Sequence, residues 1–287
     1  MADTARSLIR RAALAACLTL TAAVHAGAQA APQPPVVAPP PTDPEFMSRY
    51  DFHLSAAALT PQTITTADGQ STGDQRFSWD THFGGSIDLV DFVAGRAGVV
   101  LDYEAVLGSE YRPFDPNQGN YTLEGFVMGR LGGATELGGM FHHESRHLSD
   151  RLKPKALPVA WNELGGRILH RVTRGSTTVD ADLEGGFAVE HAYVDYTWMG
   201  EAHVLVRRPI NDRLGVFAHG SGQFVAVDGS VPARGTQTGG LVEAGIRLNG
   251  RAGSIELFVG VEKRIDADPV DRQPHHWGLA GFRLLSR

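Results

Sequence analysis

The pattern of apolar and polar positions repeats with a period of two along most of the chain. Between Val179 and Val189, the residues Val179, Ala181, Leu183, Gly185, Phe187 and Val189 share one face, while Asp180, Asp182, Glu184, Gly186 and Ala188 share the other. Period two is the signature of a strand, because successive side chains leave opposite faces of the pleat. The same alternation recurs over Tyr50–Leu59, Arg76–Leu89, Gly95–Leu107, Tyr121–Leu131, Thr135–His147, Trp161–Thr173, Tyr196–Arg207, Leu214–Val227, Gly239–Leu248, Ser254–Arg264 and His276–Leu285. With the first example this predicts about twelve strands, an even number. A soluble sandwich would turn the apolar face into a core. An outer-membrane barrel would turn it to lipid and line its lumen with the charged face.

The connections separate these architectures. The stretches Thr60–Gln75, Gly108–Asn120, Leu148–Ala160, Asp228–Thr238 and Ile265–His275 are long, and those at Gly132–Ala134, Arg174–Gly175, Pro209–Arg213 and Asn249–Gly253 are short. Barrels alternate in this way because one rim carries external loops and the other tight periplasmic turns. A Greek-key sandwich has no such requirement.

The amino terminus agrees. Arg6, Arg10 and Arg11 precede an apolar run from Ala12 to Val24 and small-residue cleavage sites ending at Ala26 and Ala30, the anatomy of a secretory signal peptide over residues 1–30. The run is too short to span a bilayer as a helix. Leu14-Ala15-Ala16-Cys17 matches a lipoprotein box, but cleavage there would leave an apolar tail, so lipidation of Cys17 stays the lesser reading. Cys17 is the only cysteine, which excludes disulfides and thiol chemistry downstream. Proline-rich residues 31–48 read as a periplasmic linker and residues 49–287 as the barrel.

Composition narrows the picture further. The net charge of −6 argues against a nucleic-acid partner, and 34 glycines suit strands that are apolar on one face only. Lysine is confined to Lys153, Lys155 and Lys263, so the abundant arginines suit fixed pairs with carboxylates. Glu124, Arg130, Glu163, Arg167, Glu243, Arg247, Glu256 and Glu262 fall on the lumen side, as a self-neutralising filling or as a selective pore would require. The chain ends Leu284-Leu285-Ser286-Arg287, without a terminal phenylalanine for the barrel assembly machinery, its expected partner. Outer-membrane lipid is the other expected partner, the oligomeric state is open, and the residues themselves imply no cofactor.

Candidate chemistry concentrates in Phe141-His142-His143-Glu144-Ser145-Arg146-His147-Leu148-Ser149-Asp150. His143-Glu144-Ser145-Arg146-His147 matches a zinc-protease motif, but that motif needs a helix, and on a strand its two histidines lie about 13 Å apart. A second reading is nucleophilic catalysis. His143 and Ser145 point the same way, a serine needs an adjacent base, and the base needs an orienting partner, which Asn162 offers on the next strand. Parity places His143, Ser145 and Asn162 on the lipid face and Glu144, Arg146 and Glu163 in the lumen. The third reading is that these groups merely occupy the polar headgroup zone at the rim. His275-His276-Trp277 reads as an aromatic belt at the last external rim, and Phe114-Asp115-Pro116-Asn117 as a turn.

The hairpin bearing His143, Ser145, Ser149-Asp150 and Trp161-Asn162 resembles the outer-membrane phospholipase A family, a twelve-stranded barrel with a Ser–His–Asn triad on its outer wall. The resemblance implies Ser145 as nucleophile, His143 as base, Asn162 as its orienter, and calcium as a cofactor. The family follows its serine with Asn-Gly-Arg, where this chain has Arg146, His147 and Leu148, so the arginine tied to calcium and dimer-dependent activation is missing. His143, Ser145, His147 and Asp150 are also similar to the His-x-Ser-x-His-x-x-Asp motif of a bacterial barrel family of unknown function, which implies no activity.

Overall fold

The computed structural model describes residues 36–65, 68–148, 157, 159–231 and 234–286. The expected signal peptide, Cys17, the first part of the proline-rich stretch and Ser149-Asp150 lie outside the described residues.

Among the described residues there are fourteen strands and no helix. They are β1 (Glu45–Leu59), β2 (Gln62–Thr65), β3 (Ser71–Asp74), β4 (Trp79–Asp91), β5 (Gly95–Gly108), β6 (Asp115–Arg130), β7 (Thr135–His147), β8 (Val159–Arg174), β9 (Thr177–Ala192), β10 (Tyr196–Pro209), β11 (Leu214–Val227), β12 (Gln237–Asn249), β13 (Gly253–Arg264) and β14 (His275–Ser286). Twelve of them close into an antiparallel barrel, each beside its neighbour in sequence, and β1 pairs with β14 from His53↔Leu285 to Leu59↔Leu279. Closure leaves no unpaired edge, which a spanning sheet requires because lipid offers no hydrogen bonds. The remaining two, β2 and β3, form a small hairpin in the first long connection.

The pattern sorts by face as period two demands. Leu101, Val127, Leu183, Val259 and Val261 are each more than half exposed on the outside, while Asp80, Glu136, Glu243, Glu256 and Arg283 are buried within. An apolar belt of this extent is incompatible with water and expected against lipid. This is an all-β, transmembrane, twelve-stranded barrel of the bacterial outer membrane. β1 enters and β14 leaves at the rim of the short turns. One of these turns is Gly175-Ser176, where Gly175 takes the left-handed φ of +61° that a two-residue hairpin demands.

The lumen is filled rather than open. Arg167 bonds to Glu124 and Glu184, and Arg96 to Asp88 and Glu136 at 2.8 Å each. Under the long loops an apolar cluster includes Leu59, Phe77, Val106, Ala267 and Trp277. Between lies a cavity of about 270 Å³.

Four expectations need correction. The linker does not extend to residue 48: β1 begins at Glu45. Nor is it a free spacer, because Val37 is buried in the lumen among Phe126, Met128, Met140 and Leu169, and Arg96 donates to the Val36 carbonyl at 3.0 Å. Phe114-Asp115-Pro116-Asn117 is no turn beyond Phe114, since β6 starts at Asp115 and buries Asp115 and Asn117. Trp277 is not in an outer belt: it is buried inside against Phe77, ring centroids 5.1 Å apart. The alternation of connections is also looser than expected, because only residues 193–195 join β9 to β10 at the long-loop rim.

Candidate functional site on the outer wall

The site is built on β7, β8 and β9 near the long-loop rim. β7 runs antiparallel to β8 with His143 opposite Asn162 and Ser145 opposite Ala160. Since every second residue leaves the same face, Phe141, His143, Ser145 and His147 form one outward row, with Ser145 two residues from the strand end. Glu144 and Arg146 point inward, paired at 2.6 Å, and Arg146 lies over the Trp161 ring at 5.2 Å. The zinc-protease reading therefore falls: its glutamate is on the opposite side of the wall from its histidines.

The structure brings His143 and Asn162 together as the parity argument expected. His143 Nδ1–H donates to Asn162 Oδ1 at 2.7 Å, which leaves Nε2 as the free ring nitrogen. Asn162 is itself held, since its Nδ2 donates to Glu190 Oε2 at 3.1 Å. Parity assigns Glu190 to the lumen with Asp182 and Glu184, yet it stands outside. The β8–β9 register shifts between Asn162 and Glu163, so that Asn162 faces Glu190 while Glu163 faces Ala188. Val189 is the extra residue of this bulge and turns Glu190 onto the outer wall, a way in which bulges commonly re-aim side chains beside sites.

Ser145 is placed differently from expectation. Its hydroxyl is hydrogen-bonded to His147 Nε2 at 2.9 Å rather than to His143. The reason is local: residues two apart on a strand are about 7 Å apart at the backbone, and the His143 ring is drawn sideways by Asn162 directly across the ladder. His147, at the strand end, is free to lean back, its ring edge-on to Tyr121 at 5.4 Å. Sequence reasoning saw His147 only as part of a motif and missed Glu190 altogether. The row Ser145, His143, Asn162, Glu190 thus contains a hydroxyl and an imidazole whose tautomer is fixed by an anchored amide, the elements of nucleophilic catalysis.

No protein-family model matches the chain, and no curated protein matches it significantly. Among solved structures, it is similar to the translocator domain of autotransporter NalP from Neisseria meningitidis, at 13% identity over 82% of this chain and 87% of that one, with a TM-score of 0.42. It is also similar to the toluene transporter TodX of Pseudomonas putida, at 10% identity over 83% and 89%, TM-score 0.40. The outer membrane protein Omp33 of Acinetobacter baumannii gives 10% over 83% and 97%, TM-score 0.38. Likeness at this level carries no argument about what the chain does.

Proposed function

We propose that this barrel hydrolyses ester bonds of outer-leaflet lipids at its outer wall, with Ser145 as nucleophile and His143 as general base. The observation that supports it is the His143–Asn162–Glu190 chain beside Ser145, an oriented imidazole facing the membrane side of the wall. In the resting arrangement Ser145 bonds His147, and catalysis requires the hydroxyl to exchange His147 for His143. The hydroxyl proton passes to His143 Nε2 as oxygen attacks the ester carbon, and Asn162 holds the ring while it is charged. His143 gives the proton to the departing alcohol as the ester C–O bond breaks, and a water activated by His143 then releases the fatty acid and restores Ser145. Polar groups on a lipid face are costly unless they work or reach the headgroups, and the position near the rim puts a headgroup ester within reach without entry to the lumen.

A second reading, a passive barrel, is favoured by one feature. β7 is paired on both sides through Ser145, so its amides are engaged in the ladder and an oxyanion would have to be met by side chains. The two readings separate in one assay, fatty-acid release from phospholipid in mixed micelles, with and without calcium, alongside conductance in a planar bilayer. Release by the wild-type barrel, abolished in Ser145→Ala with assembly intact, supports the enzyme. An assembled wild-type barrel that releases nothing refutes it.

A further inference from the structure

We propose a divalent transition-metal site inside the lumen, formed by Asp80, His82 and Glu104, separate from the outer-wall chemistry. Alternation on β4 and β5 points Asp80, His82, Asp102 and Glu104 inward, and the register sets His82 directly opposite Glu104. All four are buried. One donor atom from each of Asp80, His82 and Glu104 lies within 4.8 Å of the others. His82 Nε2 stands 3.4 Å from Asp80 Oδ1 and 3.8 Å from Glu104 Oε1. Neither His82 Nε2 nor Asp80 Oδ1 has a hydrogen-bond partner, although both are sealed from solvent. For metal–ligand bonds of about 2.1 Å, the edge of a tetrahedron is roughly 3.4 Å, so the spacing suits one ion better than a direct hydrogen bond.

The outer shell has the form that metal-binding histidines use. His82 Nδ1–H donates to Asp102 Oδ2 at 2.7 Å, and the other oxygen of Asp102 accepts from His53 Nε2 at 2.7 Å. A carboxylate on Nδ1 fixes the tautomer and turns the Nε2 lone pair toward Asp80 and Glu104. Asn120 donates to Glu104 Oε2 and leaves its own Oδ1 without a hydrogen-bond partner, a further oxygen donor beside the group.

Charge points the same way. Arg264 is the guanidinium in contact with the cluster, bonding Asp80 Oδ2 at 2.5 Å, Glu104 Oε1 at 2.8 Å and Glu262 Oε1 at 2.8 Å. Asp80, Asp102, Glu104 and Glu262 are four carboxylates around one contacting guanidinium, and a metal dication bound in place of a proton on His82 Nε2 offsets that carboxylate excess. One nitrogen with carboxylate oxygens favours zinc or manganese over calcium or magnesium, which take all-oxygen shells. His53 and Asp102 line the lumen cavity, so the outer shell of the cluster borders the lumen.

The test uses the mature barrel purified in detergent and stripped with chelator. Titration with Zn²⁺ by calorimetry and with Co²⁺ by visible absorption should show one saturable site per barrel. His82→Gln and Asp80→Asn should weaken Zn²⁺ binding at least ~100-fold, and Asp102→Asn by about 10–100-fold through the second shell. A double His143→Ala/His147→Ala variant and Ser145→Ala should bind as wild type, which distinguishes this site from the outer wall. Absence of stoichiometric Co²⁺ and Zn²⁺ binding by the folded wild-type barrel overturns the proposal, whether or not the variants fold. Undiminished Zn²⁺ binding by a folded His82→Gln variant does so equally.

Discussion

Replacing Arg283 by methionine tests whether the lumen is held together as a dry ionic lattice. Arg283 leaves β14 into the interior at 1% exposure, bonds both oxygens of Glu243 at 2.9 and 3.2 Å, and bonds Glu256 Oε2 at 3.0 Å. Both carboxylates are as buried as the arginine. Methionine keeps the stem of the side chain but leaves two carboxylates that share no other close guanidinium on Glu243, while Glu256 retains Arg247 at 3.2 Å. Removing one partner from a buried pair costs about 3–5 kcal/mol, more than the net worth of the pair, because the survivor stays desolvated. With a urea dependence of about 2 kcal/mol per molar, the unfolding midpoint in lipid vesicles should fall by roughly 2 M. The double variant Glu243→Gln/Arg283→Met removes the stranded charge, keeps the Glu256–Arg247 pair and should recover most of that loss. A residual of about 1 kcal/mol should remain for the guanidinium over the Phe258 ring, 4.8 Å from its centroid. Heat-modifiable migration and the urea midpoint give both numbers. A shift under ~0.3 M for Arg283→Met, or a double variant no better than Arg283→Met alone, would mean that water screens this pair and that the lattice argument is wrong.

Three further outcomes are expected. Ser145→Ala should abolish lipid hydrolysis while Asn162→Ala lowers it by about tenfold and Glu144→Gln, on the lumen side, changes it little, read as fatty-acid release from assembled barrels. Deleting residues through Ala38 removes Val37 from the short-turn end of the lumen and should raise single-barrel conductance in a planar bilayer; unchanged conductance would show that the ion-paired side chains alone close the path. In the external loops, burial alone would raise the Asp74 carboxyl, but hydrogen bonds with His275 and Arg76 and the charge of Arg76 hold it well below the usual range. Arg76 also grips Asp268 and Asp271, clamping the β2–β3 hairpin to the loop before β14. A depressed folded pKa gives stability that is present above the unfolded value and lost only as pH falls through the folded one. The loop should therefore resist pepsin at pH ~4 and open in stronger acid, and Asp74→Asn should open it at pH ~4.

Much of this fold was legible because a barrel wall is the simplest reader of period two. All twelve barrel strands, and the faces of His143, Glu144, Ser145, Asn162 and Glu163, follow from parity alone. What parity missed has physical causes. Pro116 and Gly119 punctuate β6 like a turn, yet Pro116 sits at its start beside a register shift at Val106 and Leu107, where no ladder hydrogen bond is asked of it. Trp277 shares parity with Leu279 and Arg283 and so belongs in the lumen; the rule that aromatics girdle the rim outweighed that signal. Val36–Ala38 carry apolar side chains in a proline-rich stretch too short to show any period. The Ser145–His147 bond depends on side-chain rotamers, and no spacing encodes them.

The Val189 bulge bears on whether the outer-wall polar groups are placed or merely tolerated. Near the interface a charged residue on the lipid face of a barrel costs about 0–1 kcal/mol, against ~2–4 kcal/mol for a basic one at the midplane, so position near the rim alone could explain His147 or Ser145. It does not explain Glu190. Without the extra residue, Glu190 would continue the lumen row of Asp182 and Glu184, where carboxylates already meet Arg167. The bulge takes it out of that lattice and sets it on Asn162, whose amide is thereby oriented with its oxygen toward His143. A tolerated histidine needs no such support. An imidazole whose orienting partner is itself oriented has the two-deep arrangement that the proposed general base requires, and that difference favours the proposed role of Ser145 over an ordinary headgroup contact.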